Sequence, residues 1–168
     1  MTQSYYSDGI TIRPAQPGDV TLILDLIKGL AEYERAPEQA KATAQDIEQA
    51  LFQPNPRAKA LICSVDGQPA GFALYFYNFS TWTGKSGIYL EDLFVEPAYR
   101  GRGAGKALLK TLARVAVAED CTRFEWSVLD WNEPAIRFYE AFGAEPQSEW
   151  IGYRLSGDAL QSFADGTD

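Results

Sequence analysis

Residues 88–95 read IYLEDLFV and residues 96–105 read EPAYRGRGAG, and together they are the most informative part of this sequence about its fold. The apolar and β-branched residues of 88–95 predict a strand. Behind the glycines, apolar residues recur at helical spacing and predict a helix from about Gly103 to Glu119. A glycine-rich turn between a strand and a helix N-terminus can direct backbone N–H groups at a pyrophosphate, since the helix dipole favours negative charge there. The stretch therefore indicates either a site for a nucleotide-bearing cofactor or an ordinary connector, and it lacks the Gly-Lys-Ser/Thr ending of a P-loop.

Other helical and strand patterns surround this unit. An apolar stripe predicts a helix from Val20 to about Glu34, and Thr43 with Asp46 forms a capping-box pattern that predicts a second helix. Asp66-Gly67 lies between two β-rich runs and predicts a hairpin. The remaining predictions are a flexible tail over 1–9, strands over 10–13, 60–65, 70–79, 123–128 and 150–155, a loop over 80–87, a helix over 132–141 and a helical turn over 158–163. This order predicts an α/β (α+β) fold, a single domain over 10–168, in which mainly antiparallel strands precede a βαβα unit.

The composition argues against several classes of function. The 168 residues include 23 acidic and 15 basic residues, a net charge of −8, which is opposite to the balance of a duplex-binding protein and predicts no nucleic-acid partner. An acidic surface either attracts cationic ligands or simply keeps the protein in solution. The chain has no histidine, and Cys63 and Cys121 lack a metal-binding spacing, so no metal is predicted. Acid–base chemistry must then use carboxylates, tyrosine, lysine, cysteine or water.

The hydropathy pattern predicts no membrane partner. The sequence has no apolar run of membrane-spanning length, and residues 1–9 lack the basic and apolar regions of a signal peptide. The expected location is therefore the cytoplasm.

Two motifs together resemble the acetyl-CoA signatures of the GNAT superfamily of N-acetyltransferases. Arg100, Gly103 and Gly105 match the Arg/Gln-x-x-Gly-x-Gly/Ala pattern that follows the family's fourth strand, and WNEPAIRFYEAFGA over 131–144 is similar to the second signature. KGLAEYE over 28–34, STW over 80–82 and LDWN over 129–132 further resemble the diamine acetyltransferase branch. The resemblance covers roughly 10–155. It implies the GNAT acyl-CoA N-acyltransferase fold with helices on both faces of the sheet, acetyl-CoA as the donor, and a homodimer with sites near the subunit interface.

By this resemblance, the end of the strand and the glycine turn hold the CoA moiety. The strand backbone is expected to contact the pantetheine arm, the turn to hold the pyrophosphate, and the second signature to add further contacts. The positions implied are Leu93, Phe94, Val95, Arg100, Gly101, Arg102, Gly103, Ala104, Gly105, Lys106, Asn132, Pro134 and Ala135.

The resemblance also implies the residues that move protons. Tyr139 matches the tyrosine that protonates the departing thiolate, and its spacing from Asn132 and Ile136 places all three on one face of a helix. An amine with a pKa near ~10 must lose a proton before it attacks a thioester. Glu91 is implied as the acceptor, with a water relay as the alternative. Glu91 and Asp92, both also implied in amine binding, are adjacent in a strand and face opposite sides unless a bulge redirects one of them.

The implied substrate residues are Tyr33, Glu34 and Trp82. Carboxylates attract cationic amines and aromatic faces hold them, although Glu34 at a helix end can also be merely solvated. Ser80-Thr81 stands where the polyamine enzyme has Asp-Pro, which favours a shorter amine or a lysine-like amino acid.

The sequence thus predicts an enzyme that moves the acetyl group of acetyl-CoA to a primary amine of a small cationic substrate by direct attack. The substrate is expected to be a polyamine, a diamine or a thialysine-like or lysine-like amino acid. The alternatives are a non-catalytic acyl-CoA sensor and a GNAT protein that acetylates a protein or aminoglycoside amine.

Overall fold

The computed structural model describes residues 3–6 and 8–166, and the chain divides into two compact units, Met1–Leu129 and Asp130–Asp168. The first unit contains β1 (Ser4–Tyr5), β2 (Ile10–Pro14), α1 (Val20–Tyr33), α2 (Ala44–Phe52), β3 (Lys59–Val65), β4 (Gln68–Ser80), β5 (Lys85–Val95), α3 (Ala104–Ala118) and β6 (Arg123–Trp126). The six strands form one sheet in chain order, antiparallel except for the parallel pair β5 and β6 that α3 connects. The α/β class, the mainly antiparallel sheet and the βα unit are confirmed.

Both faces of the sheet are covered by helices. On one face, α1 and α2 pack on strand residues in a core of Ile23, Leu26, Leu30, Ile47, Leu51, Ala60, Ile62, Phe72 and Phe94. Side chains alternate along a strand, so Leu61 and Cys63 point to the opposite face, where they are buried and α3 contacts the sheet. Helices therefore pack on both faces of the sheet, and β5 lies between β4 and the edge strand β6.

Hydrogen bonds between Thr43 and Asp46 determine where α2 begins. Thr43 Oγ1 accepts a hydrogen bond from the Asp46 N–H at 3.2 Å, and the Asp46 carboxylate accepts one from the Thr43 N–H at 2.8 Å. This reciprocal pair satisfies two N–H groups that a helix start otherwise leaves unpaired. The predicted capping box is confirmed.

The structure differs from the sequence expectation in the predicted tail over 1–9. Ser4–Tyr5 pair with Thr11 and Ile12 of β2, and the Tyr6 hydroxyl lies 2.6 Å from Thr111 Oγ1 on α3. Tertiary partners far along the chain hold these residues, so their polar composition does not reveal the pairing. Residues 1, 2 and 7 lie outside the described residues. The single domain over 10–168 stays a prediction.

The second unit contains α4 (Glu133–Glu140) and α5 (Gly157–Asp165). The strand predicted over 150–155 is wrong, because the segment has no regular structure and no strand in the described part of the chain pairs with it. Trp150, Ile151 and Tyr153 are exposed there. An alternating pattern specifies a strand's faces, but a strand also needs a neighbour that accepts and donates its backbone hydrogen bonds.

The described residues contain no helix with the length and apolar character needed to cross a membrane. They also contain no group of three or more Cys, Asp or Glu side chains placed to hold a metal ion.

Candidate active site

A bulge in β5 lies at the predicted catalytic carboxylates. Leu74 of β4 is opposite Asp92, and the next residue, Tyr75, is opposite Leu90, so Glu91 is an extra residue without its own partner. A bulge breaks the alternation of side chains and redirects one of them. Asp92 shares a sheet face with Leu74, which packs against the α1–α2 core. The bulge that the sequence left conditional is thus present at the position where it brings the two carboxylates together.

The bulge coincides with the point where β5 and β6 separate. Their parallel pairing runs from Gly87–Arg123 to Leu90–Trp126 and then ends. Beyond it, no strand of the described chain pairs with the outer edge of residues 91–95. This segment contains Leu93, Phe94 and Val95. An unpaired edge presents backbone N–H and C=O groups that can hydrogen-bond an extended ligand.

The glycine turn continues from this open edge. Gly101 and Gly103 have φ angles of 80° and 90°, in the left-handed region that favours glycine, and no atom lies within 4 Å of a Cβ built on either residue. Gly103 precedes α3 without a side-chain cap, and the first N–H groups of a helix have no partner inside it. Gly105 lies in the first helical turn, where a Cβ would only touch Val95 Cγ2 at 4.0 Å. The backbone of this turn is accessible to a ligand, as a pyrophosphate site requires.

The cations of the turn have different environments. Arg102 forms a salt bridge with Asp66 at 2.7 Å and donates a hydrogen bond to the Asp8 carbonyl at 2.9 Å. Arg100 donates a hydrogen bond from Nε to the Val95 carbonyl at 2.9 Å. Lys106 is exposed on α3, and Ala104 is buried. The two arginines are therefore engaged by the protein, whereas Lys106 projects into solvent.

Three carboxylates interact at the bulge. Burial, with repulsion from Glu91 and then Glu34, raises the pKa of Asp92 to about 6. Burial also raises the pKa of Glu34, and the Glu91 carboxylate adds to that rise. None of the three forms a salt bridge within the described residues. The cluster Glu34, Glu91 and Asp92 is consequently a region of concentrated negative charge that favours a cation.

Replacing Asp92 by asparagine should stabilise the protein at neutral pH. The folded-state pKa of about 6 is above the ordinary value of 3.8, so the folded state binds more protons than the unfolded state between about pH 4 and 6. The carboxylate thus reduces stability progressively as the pH rises through that window. Urea denaturation of Asp92→Asn should show a gain of about 1–3 kcal/mol at pH 7.5 and almost none at pH 4.

The matched control is Asp25→Asn, because Asp25 is exposed on α1. It should change the free energy of unfolding by less than about 0.5 kcal/mol at either pH. Equal effects of Asp92→Asn at pH 4 and pH 7.5 would contradict the assigned pKa of Asp92.

The structure brings together only some of the predicted amine-binding residues. Glu34 lies directly after α1, next to Tyr33, and interacts with the bulge carboxylates. Trp82 is 82% exposed in the β4–β5 turn. From Lys85, where β5 begins, to Glu91 the strand rises roughly 20 Å at about 3.3 Å per residue. A single chain therefore leaves Trp82 far from the carboxylate cluster.

Ser80, at the end of β4, has a structural role in this turn. It is buried, and its Oγ accepts a hydrogen bond from the Thr83 N–H at 3.3 Å. The position where the resemblance expects an acidic substrate contact is thus used to hold the turn.

The second unit contains the other predicted site residues. Asn132 precedes α4 and is 8% exposed, Pro134 and Ala135 lie in the first turn, and Tyr139 lies in the last. Tyr139 is half-buried, and its ring contacts Phe138 and Phe142 with centroid separations of 5.6 and 6.2 Å. Ile136 and Tyr139 lie three positions apart within α4, whereas Asn132 is the N-cap residue outside the helix, and its carbonyl accepts a hydrogen bond from the Ile136 N–H at 3.1 Å.

Sequence reasoning missed one arrangement in the first unit. The Arg100 guanidinium carbon lies 4.9 Å from the Tyr33 ring centroid and 5.5 Å from that of Phe94. The glycine turn and the end of α1, where cofactor-binding and amine-binding residues are predicted, thereby meet through one side chain. No spacing in the sequence relates residue 33 to residue 100, so the contact could be found only from the tertiary fold.

The sequence is similar to those of known acetyltransferases. The profile of the acetyltransferase (GNAT) family matches residues 24–144. Thialysine N-epsilon-acetyltransferase of Sus scrofa is 37% identical over 166 residues, which cover 92% of this chain and 97% of the relative. L-ornithine N5-acetyltransferase of Arabidopsis thaliana is 32% identical over 90% of this chain and 86% of its own.

Solved structures share the fold. An integron cassette protein from the mobile metagenome of V. cholerae superposes with a TM-score of 0.78 and 28% identity, covering 93% of this chain and 98% of its own. A metagenomic aminoglycoside acetyltransferase superposes with a TM-score of 0.74 over 89% of this chain and 99% of its own, but at 16% identity it shows the fold alone.

Proposed function

The chain belongs to the GNAT acetyltransferase family, and from that premise we propose that it acetylates the side-chain amine of a small lysine-like amino acid. It is an acetyl-CoA-dependent N-acetyltransferase acting on a small amine. The main observation that supports a cationic substrate is the β5 bulge, at which the carboxylates of Glu91 and Asp92 interact with that of Glu34. A protonated amine offsets the mutual repulsion of these three carboxylates.

The choice of a lysine-like amino acid has separate support. Relatives with 35–37% identity over most of the chain are named thialysine N-epsilon-acetyltransferases. Ser80 and Thr81 replace the acidic contact of the polyamine enzyme, and Ser80 holds the turn instead. A substrate with one side-chain ammonium needs fewer acidic contacts along its length than a polyamine does.

Acetyl-CoA, the acetyl donor, fits the unpaired edge of β5 over residues 91–95 and the glycine turn that follows it. Residues 93–95 would hydrogen-bond the pantetheine arm through their backbone, and residues 101–106 would hold the pyrophosphate at the start of α3. Asn132, Pro134 and Ala135 of the second signature would add contacts. The thioester of acetyl-CoA supplies the activated acetyl group for direct attack by the amine.

The carboxylates deprotonate the amine, and Tyr139 protonates the leaving thiolate. An ammonium held at the cluster loses its proton to Glu91 or Asp92, directly or through water. Asp92, whose pKa is raised to about 6, is well matched to accept a proton near neutral pH. The Tyr139 hydroxyl then donates a proton to the departing thiolate.

A homodimer completes the proposal. Trp82 is exposed in the β4–β5 turn and far from Glu91 of its own chain, so the Trp82 of a second copy can add an aromatic face to that of Tyr33. The exposed apolar residues at 150–155 offer surface for self-association. Light scattering after size exclusion should give twice the monomer mass.

A cytoplasmic location stays a prediction.

Thiol release from acetyl-CoA tests the function. We expect the highest kcat/KM with thialysine, followed by ornithine and lysine, and lower values with spermidine, putrescine and an aminoglycoside. Mass spectrometry should place the acetyl group on the side-chain nitrogen. Preference for spermidine would overturn the amino-acid assignment, and CoA binding without release on any amine would overturn the proposed reaction.

A further inference from the structure

The contacts of Arg100 connect the donor side of the site to the acceptor side. Its guanidinium lies over the rings of Tyr33 and Phe94, and its Nε–H donates to the Val95 carbonyl at 2.9 Å. Two aromatic contacts and a hydrogen bond fix the plane of the guanidinium. The side chain therefore does not extend from the glycine turn as a mobile cation.

The partners of Arg100 are themselves held in place. Phe94 is 5% exposed and packs on α1, where a Cβ added to Gly29 would come within 2.8 Å of its ring. Tyr33 ends α1, and the next residue is Glu34. Because the Arg100 guanidinium contacts the rings of both Tyr33 and Phe94, it helps to set the position of the end of α1 relative to β5.

We infer that the Arg100 side chain is a positioning residue for the acceptor amine and not a phosphate ligand. It holds Tyr33 and the adjacent Glu34 in register with Glu91 and Asp92 on β5. The inference deepens the proposed function and rests on it, since it assigns the side chain of a residue in the acetyl-CoA motif to amine recognition. The backbone of the motif remains free to bind the pyrophosphate.

The test compares Arg100→Ala, Arg100→Lys and Tyr33→Leu with wild type in steady-state acetylation of thialysine. Loss of the stacked contacts should raise the KM for the amine about 5- to 10-fold, because Tyr33 and Glu34 are then no longer held beside the carboxylates of β5. The KM for acetyl-CoA should change less than about twofold. Lysine keeps the charge but not the planar stacking, so Arg100→Lys should resemble Arg100→Ala.

A double variant and a matched control separate positioning from general damage. Tyr33→Leu removes one of the contacts that Arg100→Ala also removes, so their combination should raise the amine KM no more than Arg100→Ala alone. Arg114 also lies over a tyrosine, with its guanidinium carbon 5.4 Å from the Tyr6 ring centroid on another part of the sheet. Arg114→Ala should cost comparable stability and leave the amine KM unchanged.

Calorimetric binding of CoA, without any amine, gives a readout independent of turnover. Arg100→Ala should bind CoA as wild type does. A CoA affinity reduced fivefold or more, with an unchanged amine KM, would show a phosphate ligand and overturn the inference, as would an equal effect of Arg114→Ala on the amine KM. If wild type acetylates no amine, the proposed function fails. Calorimetry of thialysine binding to the CoA-saturated variants, with the same expected loss of affinity, then decides the role of Arg100.

Discussion

Tyr139→Phe should lower kcat for acetyl transfer by about 10²- to 10³-fold, the range of a positioned general acid. The substitution removes only the phenolic oxygen from a half-buried ring that packs on Phe138 and Phe142. The ring contacts should therefore persist, and the KM values for amine and acetyl-CoA should stay near wild type. An effect confined to the transition state lowers kcat and kcat/KM equally.

Thiol release with saturating thialysine measures this loss. Tyr153→Phe is the matched control, because Tyr153 is 95% exposed in the same unit and loses the same oxygen. Its kcat should be unchanged. If Tyr139→Phe retains more than a third of wild-type kcat, the thiolate is protonated by water or by another group.

The local elements were predictable because neighbouring residues determine them. The Thr43–Asp46 capping box, the Asp66-Gly67 turn and the helix after Gly103 each depend on chemistry within a few residues. Their side chains satisfy nearby backbone groups or permit a required φ angle. Such features can be found from sequence alone.

Features that depend on pairing between distant strands could not be located. The bulge at Glu91 follows from the register of β4 against β5, and the separation of β5 from β6 follows from where their parallel pairing stops. The sequence shows that Glu91 and Asp92 alternate, but not that the alternation breaks between them. The opposite error occurs at 150–155, where the alternating pattern predicts a strand but no strand of the described residues pairs with the segment.

The electrostatic interactions among the site's carboxylates also could not be predicted from the sequence. Glu34 and Asp92 are 58 positions apart, and only the fold makes the carboxylate of one raise the pKa of the other. Burial contributes most to that rise and depends on packing around β5. The resemblance therefore named the candidate residues, whereas only the fold shows that burial and neighbouring carboxylates raise the pKa of Asp92.

Gly105→Ala should weaken CoA binding by about 10- to 100-fold while raising the free energy of unfolding. Within the protein the added methyl group has room, since only Val95 Cγ2 lies near it at 4.0 Å. Alanine in a helix is favoured over glycine by roughly 0.5–1 kcal/mol. A methyl group on the backbone that must approach the pyrophosphate costs about 1–3 kcal/mol of binding free energy, by analogy with an overpacked contact.

Calorimetry with CoA and urea denaturation measure the two opposite effects. Gly18→Ala is the matched control, because Gly18 lies in the turn Pro17–Asp19 with no atom within 4 Å of an added Cβ. It should leave CoA affinity unchanged. Acetyl-pantetheine lacks the nucleotide and its diphosphate, so it should bind Gly105→Ala and wild type equally. If the variant binds CoA as wild type does, the pyrophosphate lies elsewhere than the start of α3; if it loses acetyl-pantetheine equally, the methyl group disturbs β5 and not the phosphate site.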